Sequence, residues 1–283
     1  MCSILPPHGD EPPDRTGWRK VECVCGVRRA GAARRSGERR RRVCPGGVAR
    51  MQDPIANRRR VYLMRHGDVR YYDDNGVRVS DPDVVSLTAH GFDQARGMGE
   101  LLDGTRFDMA YCTGLLRTRQ TAEGALGGRA EPALQVAPGL REIKSGDTNV
   151  MTRDEVIHEF VYSMEHAAKP GARFARGEAY ADFYARVTTA IEEVLVQDGW
   201  KTMLIVAHGG TNRAILSWLT GGGLSTMYAY EQDTACLNIF DVDVVDRAIT
   251  RKYLRLLNFR PDDVLKARDW RTTLERTFAQ RKD

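Results

Sequence analysis

The sequence predicts an α/β fold, a three-layer α/β/α sandwich with a mostly parallel central sheet. Three short apolar segments have the length of buried strands, and each precedes a glycine turn or a helical pattern; they cover residues 61–64, 107–112 and 203–207. Strands that alternate with helices pair in parallel and are covered by helices on both faces. With 42% hydrophobic and 29% charged residues, the 283-residue chain can form a substantial core, which excludes a fully disordered or collagen-like protein.

Capping signals and apolar periodicity predict the helices between and after these strands. Thr88 is a favoured N-cap residue, and Gly104 lies just beyond the helix that it would begin. Apolar residues recur at helical spacing along the segment 178–197. Three glycines at 221–223 end the helix that follows the third strand. The predicted helices cover residues 88–102, 115–126, 178–197 and 211–219.

Charge and cysteine content divide the chain near residue 50. Residues 1–50 hold 12 basic and 5 acidic residues and four of the six cysteines, whereas the remainder holds 31 basic and 33 acidic residues. We expect residues 1–50 to be a disordered, Arg-rich leader. It is either foreign to the native protein, with Met51 as the working start, or a targeting peptide, or an arm that binds nucleic acid or acidic lipid. Residues 55–260 are predicted to form one domain, followed by a partly helical tail over 261–283.

Composition also excludes several classes of function for the predicted domain. Its slightly acidic balance argues against a nucleic-acid-binding surface, and it has too few cysteines for a disulfide framework. The spacing of Cys23, Cys25, Cys44 and His8 matches no structural zinc site. No apolar segment is long enough to cross a membrane, and no signal-peptide core is present, so we expect a cytoplasmic protein. The oligomeric state stays open, with a dimer among the alternatives.

Two histidines follow predicted strands in similar motifs. The first strand continues into Arg65-His66-Gly67, and the third continues into His208-Gly209-Gly210. Because ligands of α/β sheets bind beyond the carboxyl ends of the strands, both imidazoles are expected at one edge of the sheet. The glycines allow close approach of the backbone to a ligand. A helix beginning at Thr211 would direct its free N–H groups toward a bound anion.

Two arginines and a glutamate complete a predicted anion site. Arg117 lies in the first turn of the helix after the second strand, and Arg65 precedes the first histidine. Guanidinium groups present fork-shaped donors that suit phosphate oxygens. Glu142 supplies a carboxyl group from a loop. Two imidazoles, two guanidinium groups and one carboxyl group together indicate chemistry on a phosphate.

These motifs together resemble those of the histidine phosphatase superfamily, which has the phosphoglycerate mutase-like fold. They occur in the order typical of that family and cover roughly residues 60–215. In chain order they are Arg65-His66-Gly67, Leu87-Thr88-x-x-Gly91-x-x-Gln94-Ala95, Leu116-Arg117-Thr118-x-Gln120-Thr121-Ala122, Leu140-Arg141-Glu142-Ile143 with Gly146, and Ala207-His208-Gly209-Gly210.

The resemblance implies a role for each core residue. His66 would be the nucleophile that forms a phosphohistidine. Arg65, Arg117 and His208 would bind the phosphoryl oxygens and stabilise charge in the transition state. Glu142 would protonate the leaving oxygen and then activate water. The resemblance implies no metal and no other cofactor, because the arginines supply the positive charge.

The outer part of the substrate site is less well defined by the resemblance. Gly67 and Gly209 belong to the expected substrate-binding set. Tyr72 stands where many members of the family have an asparagine. Arg70 is either a further phosphate or substrate contact or a solvated loop arginine. The segment 149–176 is expected to form much of the lid and the leaving-group pocket, through Met151, Phe160, Tyr162, Met164, Arg173 and Phe174.

Spacing favours hydrolysis over group transfer between substrates. Glu142 and His208 are 66 positions apart, and the resemblance implies a longer insertion there in phosphoglycerate mutases. Our first hypothesis is therefore a metal-independent, histidine acid-type phosphatase that acts on a phosphate monoester, either a small molecule or a phosphoprotein. The alternatives are a cofactor-dependent phosphoglycerate mutase-type reaction and a weakly catalytic binding or regulatory domain.

Overall fold

Six strands form one sheet in the computed structural model, which describes residues 55–79 and 81–281. The strands are β1 (Arg58–Arg65), β2 (Met109–Cys112), β3 (Leu134–Val136), β4 (Thr202–Ala207), β5 (Leu237–Val245) and β6 (Ala248–Phe259). Their order across the sheet is β3-β2-β4-β1-β5-β6. Strands β3, β2, β4 and β1 are parallel, and β5 and β6 are antiparallel to their neighbours. The predicted α/β fold with a mostly parallel sheet is confirmed, while the predicted leader over 1–50 lies outside the described residues.

The helices lie close to their predicted positions. They are α1 (Ala89–Leu101), α2 (Leu116–Ala125), α3 (Arg153–Val156), α4 (Tyr180–Leu195), α5 (Gly209–Thr220) and α6 (Thr273–Phe278). The side chain of Thr88 accepts from the N–H of Gly91 and caps α1, as its sequence position predicts. Helix α5 begins two residues before the predicted start, with His208 at the N-cap position. No helix among the described residues is long and apolar enough to cross a membrane.

Helices cover both faces of the sheet because successive strand residues point to opposite sides. On one face, Leu63 and Ile205 pack with the apolar side of α4, including Phe183 and Ile191. The opposite face carries a smaller core formed by Met64, Val206 and residues of α1 and α2. The carboxyl-terminal residues of β1 and β4 are buried in these cores, and they therefore fix the positions of the chain segments that follow the two strands.

The β5–β6 hairpin extends the sheet beyond the three strands that the sequence predicts. Asp241 and Asp243 interrupt the apolar pattern of β5, although both are buried. Arg60 of β1 donates to both carboxylate oxygens of Asp241, from Nε at 2.7 Å and Nη2 at 2.9 Å, and Arg58 pairs with Asp243 in the same way. Bidentate pairing with arginine compensates the burial of both carboxylates.

The chain after β6 returns to the carboxyl edge of the sheet as the C-terminal strap, residues 261–281. A capping box formed by Thr272 and Glu275 begins its helix α6. Asp233 holds the strap by accepting from Lys266 Nζ at 2.9 Å and from Arg276 Nη2 at 2.6 Å. Burial raises the pKa of Asp233, but these hydrogen bonds and charges outweigh it and lower the pKa to about 2.

Replacing Asp233 with asparagine is expected to loosen the strap and to cost about 1–2 kcal/mol of unfolding free energy at neutral pH. Because the pKa of the folded carboxyl lies below its ordinary value of 3.8, its contribution is present above that value and is lost as the pH falls toward about 2. Hydrogen exchange of the α6 amides measures the loosening, with the exposed Asp103→Asn as control. Equal exchange in both variants would contradict the prediction.

Candidate active site

The two histidines meet at the carboxyl edge of the sheet. Strands β1 and β4 are parallel neighbours, and Arg65 is in register with Ala207, so the next residues are His66 and His208. Their ring centroids are 5.3 Å apart with the rings edge to face, and both side chains are buried. The structure thus brings together the imidazoles that lie 142 positions apart in the chain.

His66 has the protonation state that a nucleophile requires. Its Nδ1 lies 2.8 Å from the carbonyl oxygen of Gly67, which can only accept, so Nδ1 carries the hydrogen and Nε2 the lone pair. Burial, followed by the charges of Arg117 and Arg65, lowers the pKa of His66 well below its ordinary value. Both observations favour the neutral imidazole, with the lone pair on Nε2.

Arg65 and Arg117 bring two positive charges close to His66. Arg65 is 8% exposed and Arg117 is 3% exposed. Arg65 Nη1 donates to the Gln232 carbonyl at 2.6 Å, and Arg117 Nη1 donates to the Pro82 carbonyl at 2.7 Å. In the described part of the chain, the buried Nε atoms of both arginines have no hydrogen-bond partner. Buried guanidinium N–H groups of this kind are typical of sites that bind phosphate.

A chain of hydroxyl groups fixes the tautomer of His208. Thr118 donates its only hydroxyl hydrogen to the Leu115 carbonyl at 2.8 Å, so it accepts from Thr113 at 3.1 Å. Thr113 Oγ1 must then accept from His208 Nε2, which lies 2.9 Å away. Nδ1 of His208 is buried and has no partner among the described residues. This nitrogen becomes a second donor when an anion favours the protonated ring.

Burial and nearby positive charge oppose the protonation of His208. Burial, and then the charges of Arg117, His66 and Arg65, lower the pKa of His208 well below its ordinary value. A bound phosphate dianion would reverse the sign of the local field. Protonation of His208 is thus expected to accompany the binding of phosphate.

Replacing Thr113 with valine is expected to lower about tenfold the kcat of the phosphatase reaction that the family resemblance implies. A tenfold loss corresponds to roughly 1.5 kcal/mol for a lost hydrogen bond to a charged group. The substitution keeps the side-chain volume but leaves His208 Nε2 without an acceptor. Thr113→Ser should restore most of the activity, and the acidic limb of the pH profile should shift in the valine variant alone. An unchanged pH profile would show that Thr113 only fills space.

Glu142 occupies the N-terminus of α5, which corrects the prediction for that helix. Its Oε2 accepts from Gly210 N at 2.9 Å, and its Oε1 accepts from Thr211 N at 3.1 Å and from Ile143 N at 3.0 Å. The N–H groups that the sequence assigned to a bound anion therefore hold this carboxylate instead. An added Cβ at Gly210 would lie only 2.5 Å from Glu142 Oε1, so a side chain there would displace the carboxyl group.

A cavity of about 340 Å³ opens above these groups. Arg65, His66, Arg117 and Glu142 line it, while His208 lies buried beside His66. The predicted lid segment contributes part of the wall through Phe160, Met164 and Phe174. Three other residues predicted for that wall lie elsewhere: Met151 packs in a small core, Tyr162 bonds to Glu275, and Arg173 bonds to the Gly177 carbonyl.

Two further segments line the cavity, and the sequence pointed to none of their lining residues except Tyr72. The C-terminal strap contributes Thr273, Leu274 and Thr277. Thr273 Oγ1 donates to Glu231 at 2.7 Å and lies 2.9 Å from the Gln232 carbonyl, which also accepts from Arg65. The other missed segment is the hairpin 71–79, from which Tyr71, Tyr72 and Arg78 line the cavity. Neither segment carries a motif, so only its position in the folded chain reveals its part.

Of the remaining predicted substrate-binding residues, the two glycines pack close to the site, whereas Arg70 lies away from the cavity. Gly67 donates its N–H to Thr121 Oγ1 at 2.9 Å, and a Cβ there would lie 2.6 Å from the Gly91 carbonyl oxygen, so this glycine permits close packing. Gly209 lies beside the Arg65 guanidinium. Arg70 is exposed, pairs with Asp74 at 2.7 Å and does not line the cavity.

A comparison with known families supports the geometry. The family model described as the histidine phosphatase superfamily (branch 1) matches residues 61–253, which include all five core residues of the site. The match also includes β5 and the first half of β6, which extend beyond the region covered by the sequence motifs.

Relatives of known activity include both phosphatases and mutases. The chain is 27% identical to the adenosylcobalamin/alpha-ribazole phosphatase of Escherichia coli over 71% of its length and 96% of that protein. It is 28% identical to a 2,3-bisphosphoglycerate-dependent phosphoglycerate mutase of Bartonella bacilliformis over 70% of its length and 99% of the relative. The crystal structure of the alpha-ribazole phosphatase from Shigella flexneri aligns with a TM-score of 0.54 at 25% identity, covering 70% of this chain and 96% of that one.

Proposed function

We propose, from the premise that this chain belongs to the histidine phosphatase superfamily (branch 1), that it hydrolyses phosphate monoesters through a phosphohistidine on His66. The family resemblance identified from the motifs is confirmed by the family match. The observation that carries the proposal is a set of three buried nitrogen atoms near the neutral ring of His66 that have no hydrogen-bond partner among the described residues: Arg65 Nε, Arg117 Nε and His208 Nδ1. Such a set has the charge and the donors to hold a phosphoryl group against a nucleophilic nitrogen.

In the first half-reaction, the phosphoryl group moves from the substrate oxygen to His66. Nε2 of His66 attacks phosphorus, and the bond between phosphorus and the leaving oxygen breaks. Arg65 and Arg117 balance the charge on the equatorial oxygens, in the role that metal ions have in other phosphoryl-transfer enzymes. Glu142 gives its proton to the leaving oxygen.

In the second half-reaction, water takes the place of the leaving group. The Glu142 carboxylate accepts a proton from the water as the oxygen attacks phosphorus. The bond between phosphorus and Nε2 breaks, inorganic phosphate forms, and His66 again has a free lone pair. The three backbone N–H bonds to Glu142 hold the carboxyl group in place through both steps.

The direct test is hydrolysis of p-nitrophenyl phosphate by the full-length protein in the presence of EDTA. We expect release of equal amounts of nitrophenol and inorganic phosphate, with rates that EDTA does not change. Activity that EDTA removes and Mg²⁺ restores would overturn the metal-independent mechanism. Tight binding of phosphate esters without turnover of any of them would instead support the alternative of a binding or regulatory domain.

Phosphoglycerate mutase-type transfer is the second candidate, because a mutase is among the full-length relatives. It requires that the phosphohistidine pass its phosphoryl group back to a sugar acid before water reacts. Incubation with 3-phosphoglycerate and a bisphosphoglycerate primer separates the two activities. Formation of 2-phosphoglycerate faster than release of phosphate would establish the mutase, and the reverse would establish the phosphatase.

A further inference from the structure

Arg78 is a partly buried cation in the cavity wall that has only neutral partners in the described structure. It lies in the hairpin 71–79, lines the cavity and contacts the loop that carries Glu142. Its Nη1 donates to Ser145 Oγ at 2.9 Å and to Thr148 Oγ1 at 3.3 Å. Two hydroxyl groups orient the guanidinium but leave its charge and its other N–H groups without an anion.

Four other buried or partly buried arginines of this protein have a carboxylate partner. Arg58, Arg60 and Arg186 each donate from two nitrogen atoms to a carboxylate, and Arg213 pairs with Glu231. Within the described residues, the buried or partly buried arginines of the cavity that have no carboxylate within 4 Å are Arg65, Arg117 and Arg78. The first two surround the nucleophile, so the third indicates a second place for negative charge.

The position of Arg78 relative to Glu142 identifies which part of the substrate it faces. Its partner Ser145 follows Glu142 by three residues, on the loop that supplies the proton to the leaving oxygen. The same loop adds two exposed cations to the cavity wall, Arg141 and Lys144. Arg78, Arg141 and Lys144 thus bring positive charge to the part of the cavity wall that carries Glu142.

We propose that the alcohol part of the natural substrate carries a second anionic group, either a carboxylate or another phosphate, and that Arg78 binds it. This inference rests on the proposed phosphatase function and deepens it by naming the substrate class. A guanidinium already oriented by two hydroxyl groups loses little conformational freedom when an anion binds. Arg78 would therefore contribute to specificity and not to the chemical step, since it does not touch the transferred phosphoryl group.

Three matched substrates test the proposal: three-carbon phosphate monoesters that end in a methyl group, a carboxylate or a second phosphate. The wild-type protein should prefer one or both anionic esters over the methyl ester by at least about tenfold in kcat/KM, the value of one charge-assisted hydrogen bond. The ester that reacts faster identifies the anion. Equal rates for all three esters would overturn the proposal.

Variants of Arg78 assign the preference to this residue. Arg78→Met should lower kcat/KM for the preferred anionic ester by about 10- to 100-fold, mostly through KM, and should change p-nitrophenyl phosphate hydrolysis by less than about threefold. Arg78→Lys should recover part of the preference, because it keeps the charge but not the fork. Arg96→Met is the matched control, since Arg96 is an exposed helix residue that pairs with Asp93. An equal loss on all substrates would show that Arg78 is only a tether between the hairpin and the loop.

Phosphatase activity and anion binding by Arg78 can be tested separately. If the wild-type protein does not hydrolyse p-nitrophenyl phosphate or any of the three esters, phosphatase activity is refuted. Calorimetric binding of the esters to His66→Ala and to the double variant with Arg78→Met then still decides the role of Arg78. Weaker binding of the anionic esters alone in the double variant supports the subsite, and unchanged binding overturns it.

Discussion

Replacing His66 with alanine is expected to lower the hydrolysis of every phosphate ester by more than about a thousandfold, because the variant has no atom that can accept the phosphoryl group. The fold should survive, since the backbone bonds of this residue to its neighbours, including that to Ala207, do not involve the ring. Steady-state assays and thermal unfolding, measured side by side, check both parts.

A control and a trapping experiment sharpen this prediction. His158→Ala removes an exposed histidine of the lid segment and should keep wild-type activity. Rapid acid quenching followed by neutralisation should recover labelled phosphohistidine from the wild-type protein and from His158→Ala, but not from His66→Ala. Label that persists in His66→Ala would place the nucleophile at another residue.

Replacing Glu142 with glutamine is expected to lower kcat/KM about 10²- to 10⁴-fold for alkyl phosphates, which need a proton on the leaving oxygen. The loss should be much smaller for p-nitrophenyl phosphate, whose leaving group is stable as an anion. The dependence of the rate on the leaving-group pKa should therefore become steeper in the variant. The same loss for both kinds of ester would contradict a role as general acid.

A second variant moves the Glu142 carboxyl group without changing its chemistry. In Gly210→Ala, the new Cβ would lie 2.5 Å from Glu142 Oε1, so the carboxyl group must move. We expect the same dependence on the leaving group as in Glu142→Gln. Gly97→Ala in α1 is the matched control, because its Cβ would meet no atom within 4 Å and activity should not change.

The sequence by itself determined the strands that carry the chemistry and the residues at their ends. Short apolar segments that precede glycine turns or helical patterns are typical of internal strands, and parallel strands place their carboxyl ends at one edge. His66, His208, Arg65 and Arg117 could therefore be brought together before any coordinates, even though they are distant in the chain. Local capping chemistry at Thr88 similarly predicted the start of α1.

Only the tertiary structure decided which groups surround that edge and what each of them contacts. Nothing near Glu142 in the sequence shows that its carboxylate accepts from Gly210 and Thr211. Thr113 contacts His208 and sets its tautomer, and Arg78 contacts the loop after Glu142. Both contacts join distant parts of the chain, and no pattern in the sequence predicts them. The strap enters the site because Asp233, which precedes the β5–β6 hairpin, binds Lys266 and Arg276, which follow it. Such contacts depend on the packing of whole elements, whereas the strand ends depend only on local hydrophobicity and chain direction.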